Sequence, residues 1–159
     1  MNFINNTVDA KPIMQTTLKN KLLFSGVGIH NGKAVKMSIE PAKPNTGIIF
    51  KRVDLDNNNL IKSIIDNVET SQLCTKITND HGISVSTIEH LMATFNGLKI
   101  DNAIIKINSP ELPAMDGSSE EYTRKIIKSG IQTQNVNRKY LKILKNITMR
   151  DDHRYISIT

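Results

Sequence analysis

The feature that most constrains this chain is a change of hydrophobic period. Ile88, Leu91, Met92, Phe95 and Leu98 recur at i, i+3, i+4, i+7 and i+10, the stripe of an amphipathic helix. Almost everything before it alternates with period two. Leu18, Leu22 and Phe24 predict a strand over residues 17–25. Val35, Met37 and Ile39 predict a second, residues 47–53 a third, and residues 75–78 with 83–85 a hairpin, whereas residues 61–68 are ambiguous. Ser86 and Glu89 form a capping-box pattern ahead of the helix. A strand over residues 102–108 follows. A second helix over residues 119–128 has the same kind of start at Ser118 and Glu121, turns Tyr122, Ile126 and Ile127 inward, and ends at Gly130. This order predicts an α+β fold: one sheet with two helices on one face. Residues 132–137 are polar and read as a linker. Residues 140–149 and 155–159 then read as a hairpin turning at Asp151-Asp152. Two strands cannot make a core alone. The expected organisation is a loose tail over residues 1–13, a domain over 14–137, and over 138–159 the start of a second, truncated domain.

Composition narrows the class. The single cysteine, Cys74, excludes a disulfide framework and makes a reducing, cytoplasmic compartment the expectation. No apolar run approaches the ~20 residues of a membrane span, and the N-terminus lacks the basic head and apolar block of a signal peptide. The net charge of +6 suggests an anionic partner. Lysines outnumber arginines 16 to 5 beside 17 Asn and 23 Ile, however, which matches codon drift in an AT-rich genome. With 4% aromatics, nothing resembles basic residues interleaved with stacking rings, so nucleic acid is not the expected partner. The alternative from another class is a non-catalytic basic α+β module that binds RNA. Its mark would be lysines clustered on one face.

The four histidines, His30, His81, His90 and His153, show no i, i+4 pair, and there is no Cys-x-x-Cys, phosphate loop or nucleophile elbow. One arrangement stands out. On a helical wheel of about 100° per residue, Glu89 and His90 lie beside each other off the apolar stripe, with His90 directed away from the sheet. Ala93, Thr94 and Gly97 share that outer face. A solvated face is usually rich in Lys and Glu, so small residues there suggest that something packs on it.

Residues 86–93, Ser-Thr-Ile-Glu-His-Leu-Met-Ala, resemble the S-T-[IV]-E-H-L-x-A signature of the UDP-3-O-acyl-N-acetylglucosamine deacetylase (LpxC) family. Gly26-Val27-Gly28-Ile29-His30-Asn31-Gly32 resembles its G-V-G-[LI]-H-x-G segment. Pro44-Asn45-Thr46-Gly47-Ile48, Leu73-Cys74-Thr75 and Pro113-Ala114-Met115-Asp116-Gly117-Ser118 resemble three further motifs, all in the family's order.

The resemblance implies a zinc hydrolase that removes the N-acetyl group of UDP-3-O-acyl-N-acetylglucosamine, the committed step of lipid A synthesis. It implies two similar domains with their helix layers facing each other and the site between them, which would explain the small residues around His90. By resemblance, His90 is a Zn2+ ligand, Glu89 the base that takes a proton from water, and His30, Leu73, Cys74 and Thr75 line the substrate site. Asp116-Gly117-Ser118 is expected to be a structural turn. The family's other ligands, in an H-x-x-x-D helix, have no counterpart in this sequence. The implied partners are therefore the substrate and a missing C-terminal domain or second chain, and the chain alone is expected to be inactive; the alternative under the same resemblance is a non-catalytic module that binds the UDP-sugar.

Overall fold

The computed structural model describes residues 13–140 and 143–159. The tail expected over residues 1–13 lies almost wholly outside them. The main sheet has five strands. They are β2 (Leu22–Val27), β3 (Ala34–Pro41), β4 (Ile48–Arg52), β5 (Leu60–Lys62) and β9 (Ala103–Ile107), in the order β2-β3-β9-β4-β5. Only β4 and β9 run parallel. A short 3-10 turn at Ile65–Asn67 leads to a second, three-stranded sheet of β6 (Val68–Glu69), β7 (Lys76–Thr78) and β8 (Ser84–Ser86). The helices are α1 (Glu89–Leu98) and α2 (Glu120–Ser129). Two further strands, β1 (Met14–Leu18) and β10 (Ile131–Asn137), pair antiparallel with each other.

Period two decides what the main sheet buries. Register places Phe24, Met37 and Ile107 in one cross-strand row and Ile39, Ile105, Phe50 and Ile61 in another, and all seven are buried. Leu91 and Phe95 of α1 and Tyr122 and Ile126 of α2 join the same core. The Phe24 and Tyr122 rings meet at 5.1 Å between centroids, and the Tyr122 hydroxyl donates to the Pro113 carbonyl at 2.9 Å. Each such buried side chain contributes roughly 1.5–3 kcal/mol. Ile77 and Val85 extend the core under the small sheet. Arg52 ties the two sheets together: its guanidinium forks onto Asp54 and also donates to the Ser84 carbonyl at 3.0 Å. That fork holds the Asp54 carboxyl below the usual carboxylate range.

The opposite face of the main sheet carries Lys36, Lys51, Lys62 and Lys106 by register, so the lysines are less scattered than the sequence suggests. Glu40 on that face bridges Lys21 at 2.9 Å and Lys106 at 2.7 Å. Partial burial pushes its carboxyl up, but hydrogen bonds and charge from Lys106 and Lys21 outweigh that and pull it down to about 2.

Several expectations are corrected. The strand expected over residues 17–25 is two strands in different sheets. The chain turns at Lys19-Asn20, held by Lys19 N–H on the Gly130 carbonyl and by the Asn20 amide on the Ser129 carbonyl. The linker expected over residues 132–137 is β10. It carries no apolar alternation because it is held by backbone pairing and by amides: Gln134 donates to the Ala42 carbonyl and accepts from Asn102. Neither capping box forms, since both helix N-caps lack a side-chain hydrogen bond. Glu89 bonds elsewhere, and Ser118 accepts the Glu120 N–H one position early. Ile127 is 60% exposed rather than inward. Thr94 is buried between the helices, with its hydroxyl on the His90 carbonyl and beside the Thr123 hydroxyl, rather than outward with Ala93 and Gly97.

The closing hairpin forms as β11 (Ile147–Asp151) and β12 (Arg154–Ile158), turning at Asp152-His153. All ten strand residues are exposed. One face is apolar, with Ile147 opposite Ile158 and Met149 opposite Ile156. The other is polar, with Thr148 opposite Ser157 and Arg150 opposite Tyr155.

Candidate active site

Three segments converge where β8 hands over to α1. The first is the loop that ends at Thr75. Its N–H donates to the Glu89 carboxylate at 2.9 Å, and its carbonyl accepts the Ile88 N–H at 3.4 Å. The carboxylate that the sequence pattern assigns to a cap thus reaches across to the loop that leads into β7. The second is the start of α1, where His90 is half-buried. Among the described residues nothing hydrogen-bonds the His90 imidazole. Its main-chain carbonyl accepts from Thr94 and Ser119 hydroxyls, each at 3.0 Å, which pins α2 to α1 at this point. The third is the loop before α2. Asp116 there is held below its usual range by the Ser118 hydroxyl and N–H, and the His90 charge acts in the same direction. Asp116 serves, as expected, in a turn.

The backbone is strained in all three segments. Leu73, Thr87 and Met115 have φ of 58°, 57° and 52°, a region that costs a non-glycine residue about 1–3 kcal/mol and that concentrates at functional sites. Leu73 is also 93% exposed, an apolar side chain held out to solvent. Cys74 is half-buried, and its carbonyl accepts the Ser71 hydroxyl.

The structure brings Glu89, His90, Thr75 and, through chain continuity, Leu73 and Cys74 together. His30 is exposed on the β2–β3 turn and joins the group only indirectly. Its N–H and that of Asn31 donate, each at 2.9 Å, to the two oxygens of the Glu111 carboxylate, which also accepts the Thr87 hydroxyl at 3.2 Å. Glu111 is 2% exposed, and the sequence analysis missed it. The available signal was Gly28: a Cβ there would lie 2.5 Å from a Glu111 oxygen, so the glycine marks a close approach. Gly26 does the same for Pro113, at 3.0 Å. His81 and His153 are exposed hairpin-turn residues.

The sequence model of the family described as UDP-3-O-acyl N-acetylglycosamine deacetylase (LpxC) matches residues 15–159. The chain belongs to the LpxC family. Similar curated proteins include the UDP-3-O-acyl-N-acetylglucosamine deacetylase of Shewanella pealeana, 42% identical over 146 residues. The same-named protein of Haemophilus influenzae is 38% identical over 143 residues. These alignments cover 92% and 90% of this chain but 48% and 47% of the relatives. The chain spans about half the length of the curated relatives it matches. The LpxC assignment and the α+β fold agree with the sequence analysis. No helix of the described residues is long and apolar enough to cross a membrane.

A zinc site takes three or four protein ligands. Among the described residues no three His, Cys, Asp or Glu side chains come together. By themselves the described residues therefore do not make up a zinc ligand set.

Proposed function

We propose that this chain supplies the proton acceptor and one metal-binding imidazole of a UDP-3-O-acyl-N-acetylglucosamine deacetylase. The observation that carries the reading is the pairing at the start of α1. Glu89 is fixed by the Thr75 N–H, and beside it stands an imidazole that no described residue engages. Hydrolysis of an acetamide needs a water stripped of a proton and a donor for the departing amine; its products are acetate and the free amine. One Glu89 oxygen is occupied by Thr75, which orients the group and leaves the other to take the proton of a bound water. Adjacent helix positions aim the two side chains about 100° apart, so both can reach one water without Glu89 becoming a ligand. The exposed Leu73 and the His30 turn would border the substrate. The reading places the reaction in lipid A synthesis in the cytoplasm, with a completing domain or second chain as partner.

The test joins this chain to the remaining half of the Shewanella pealeana relative and measures acetate release. Glu89→Ala should abolish turnover while metal content is retained. A Glu89→Ala protein with wild-type turnover would sink the assignment.

A further inference from the structure

We infer that Glu111 is a positioning residue of this site: its carboxylate locks the His30 turn to Thr87 and so fixes where α1 begins and where Glu89 and His90 stand. The inference rests on the reading of Glu89 and His90 proposed above. A carboxylate that is 2% exposed is costly unless its oxygens are satisfied. The usual partner is a cation, yet among the described residues Glu111 pairs with none. All its donors are neutral and belong to two segments that flank the site. One oxygen takes the His30 N–H and the Thr87 hydroxyl, and the other takes the Asn31 N–H.

Thr87 is the hinge of the arrangement. It is β-branched, 7% exposed and held at φ 57°, a conformation that must be enforced by its surroundings. The next residues are Ile88, Glu89 and His90, so the torsion at Thr87 sets the direction in which α1 leaves β8. The Glu111 backbone is itself anchored to that junction. Ser86 N–H donates to the Pro110 carbonyl at 2.9 Å, and Leu112 N–H donates to the Ser86 carbonyl at 3.1 Å. Gly28 keeps the space for the carboxylate open. Backbone and side chain of the Glu111 segment therefore grip Ser86 and Thr87, the two residues that lead into α1.

The amide proton of Thr75 reports this position, because it sits on the Glu89 carboxylate. The experiment follows that proton in 1H–15N spectra of the full chain. Glu111→Gln keeps the size but replaces one acceptor oxygen with an NH2 group that cannot accept. The expected result is a folded protein in which the Thr75 amide resonance shifts, while the His30 and Asn31 amides exchange faster by about tenfold or more. Thr87→Val removes only the hydroxyl and should move the same proton, whereas Thr87→Ser should restore it. If Glu111→Gln fails to fold, the Thr87 pair gives the answer alone. A Thr75 amide resonance unchanged in the folded variants, with only the melting temperature lowered, would overturn the inference and leave Glu111 a purely structural residue. The readout needs neither metal nor turnover, so it fails separately from the deacetylase reading, which fails on Glu89→Ala activity.

Discussion

Gly28→Ala should damage this protein far more than its size suggests, and the cost can be worked out. An added Cβ would stand 2.5 Å from a Glu111 oxygen and 2.5 Å from the Asn31 Oδ1. Neither atom is free to swing away. Asn31 Oδ1 accepts the Lys33 N–H at 2.8 Å, and the Glu111 carboxylate holds the bonds to His30, Asn31 and Thr87. Displacing the carboxylate strands two backbone N–H groups and one buried hydroxyl. At about 1–3 kcal/mol per stranded group, discounted for the exposed side of the His30 turn, the loss is roughly 2–4 kcal/mol. That is a large share of the roughly 5–15 kcal/mol that stabilises a domain and corresponds to a melting temperature about 5–15 °C lower. The control is Gly97→Ala. Nothing lies within 4 Å of a Cβ there, and the residue is inside α1, so alanine should stabilise by about 0.5–1 kcal/mol. Urea titration followed by circular dichroism reads both. A Gly28→Ala chain as stable as wild type would refute the carboxylate clamp.

Three further outcomes follow from the packing and the charges. Phe95→Ala empties a site that is 1% exposed and should cost about 3–5 kcal/mol by the same titration. Glu40 has its folded pKa lowered from 4.5 to about 2, so its contribution is fully present above pH 4.5 and is lost as pH falls toward 2. Glu40→Gln should therefore be less stable than wild type at pH 7, and the gap should close as acid is added; a constant gap would contradict the Lys21–Glu40–Lys106 bridge. Ile156→Ser alters a residue 68% exposed on β12 and should change the stability of this chain by no more than about 0.5 kcal/mol.

What the sequence made legible was whatever the period reports. The stripe from Ile88 to Leu98 located α1 to within a residue, and the alternation of Val35, Met37 and Ile39 located β3, because burial on one face is what those patterns encode. β10 was illegible for the same reason: its partners are the backbone of β1 and the amides of Gln15 and Asn102, which reach Asn137 and Gln134, and hydrogen bonding leaves no hydrophobic period. The capping boxes misled because Ser and Glu at that spacing serve either a cap or a tertiary bond, and at Glu89 the Thr75 N–H wins. Thr94 fell on the wrong side because a helix wedged between a sheet and another helix buries a wider arc than one stripe, and Ile127 because it stands about 100° round from Ile126, off the stripe that Tyr122 and Ile126 set. At the site, adjacency in the chain gave Glu89 with His90. Glu111 depends on a contact 81 residues away in sequence from the His30 turn, which no local pattern records.

The central claim is that this chain carries one metal-binding imidazole and depends on ligands from outside its described residues. Zinc titrated calorimetrically into the chain alone, into the chain joined to the remaining half of the Shewanella pealeana relative, and into the joined protein with His90→Ala tests it most directly. The account predicts no stoichiometric zinc on the chain alone, one zinc per joined protein, and strongly weakened binding without His90. Tight stoichiometric zinc on the chain alone, or full affinity in the joined protein lacking His90, would contradict it.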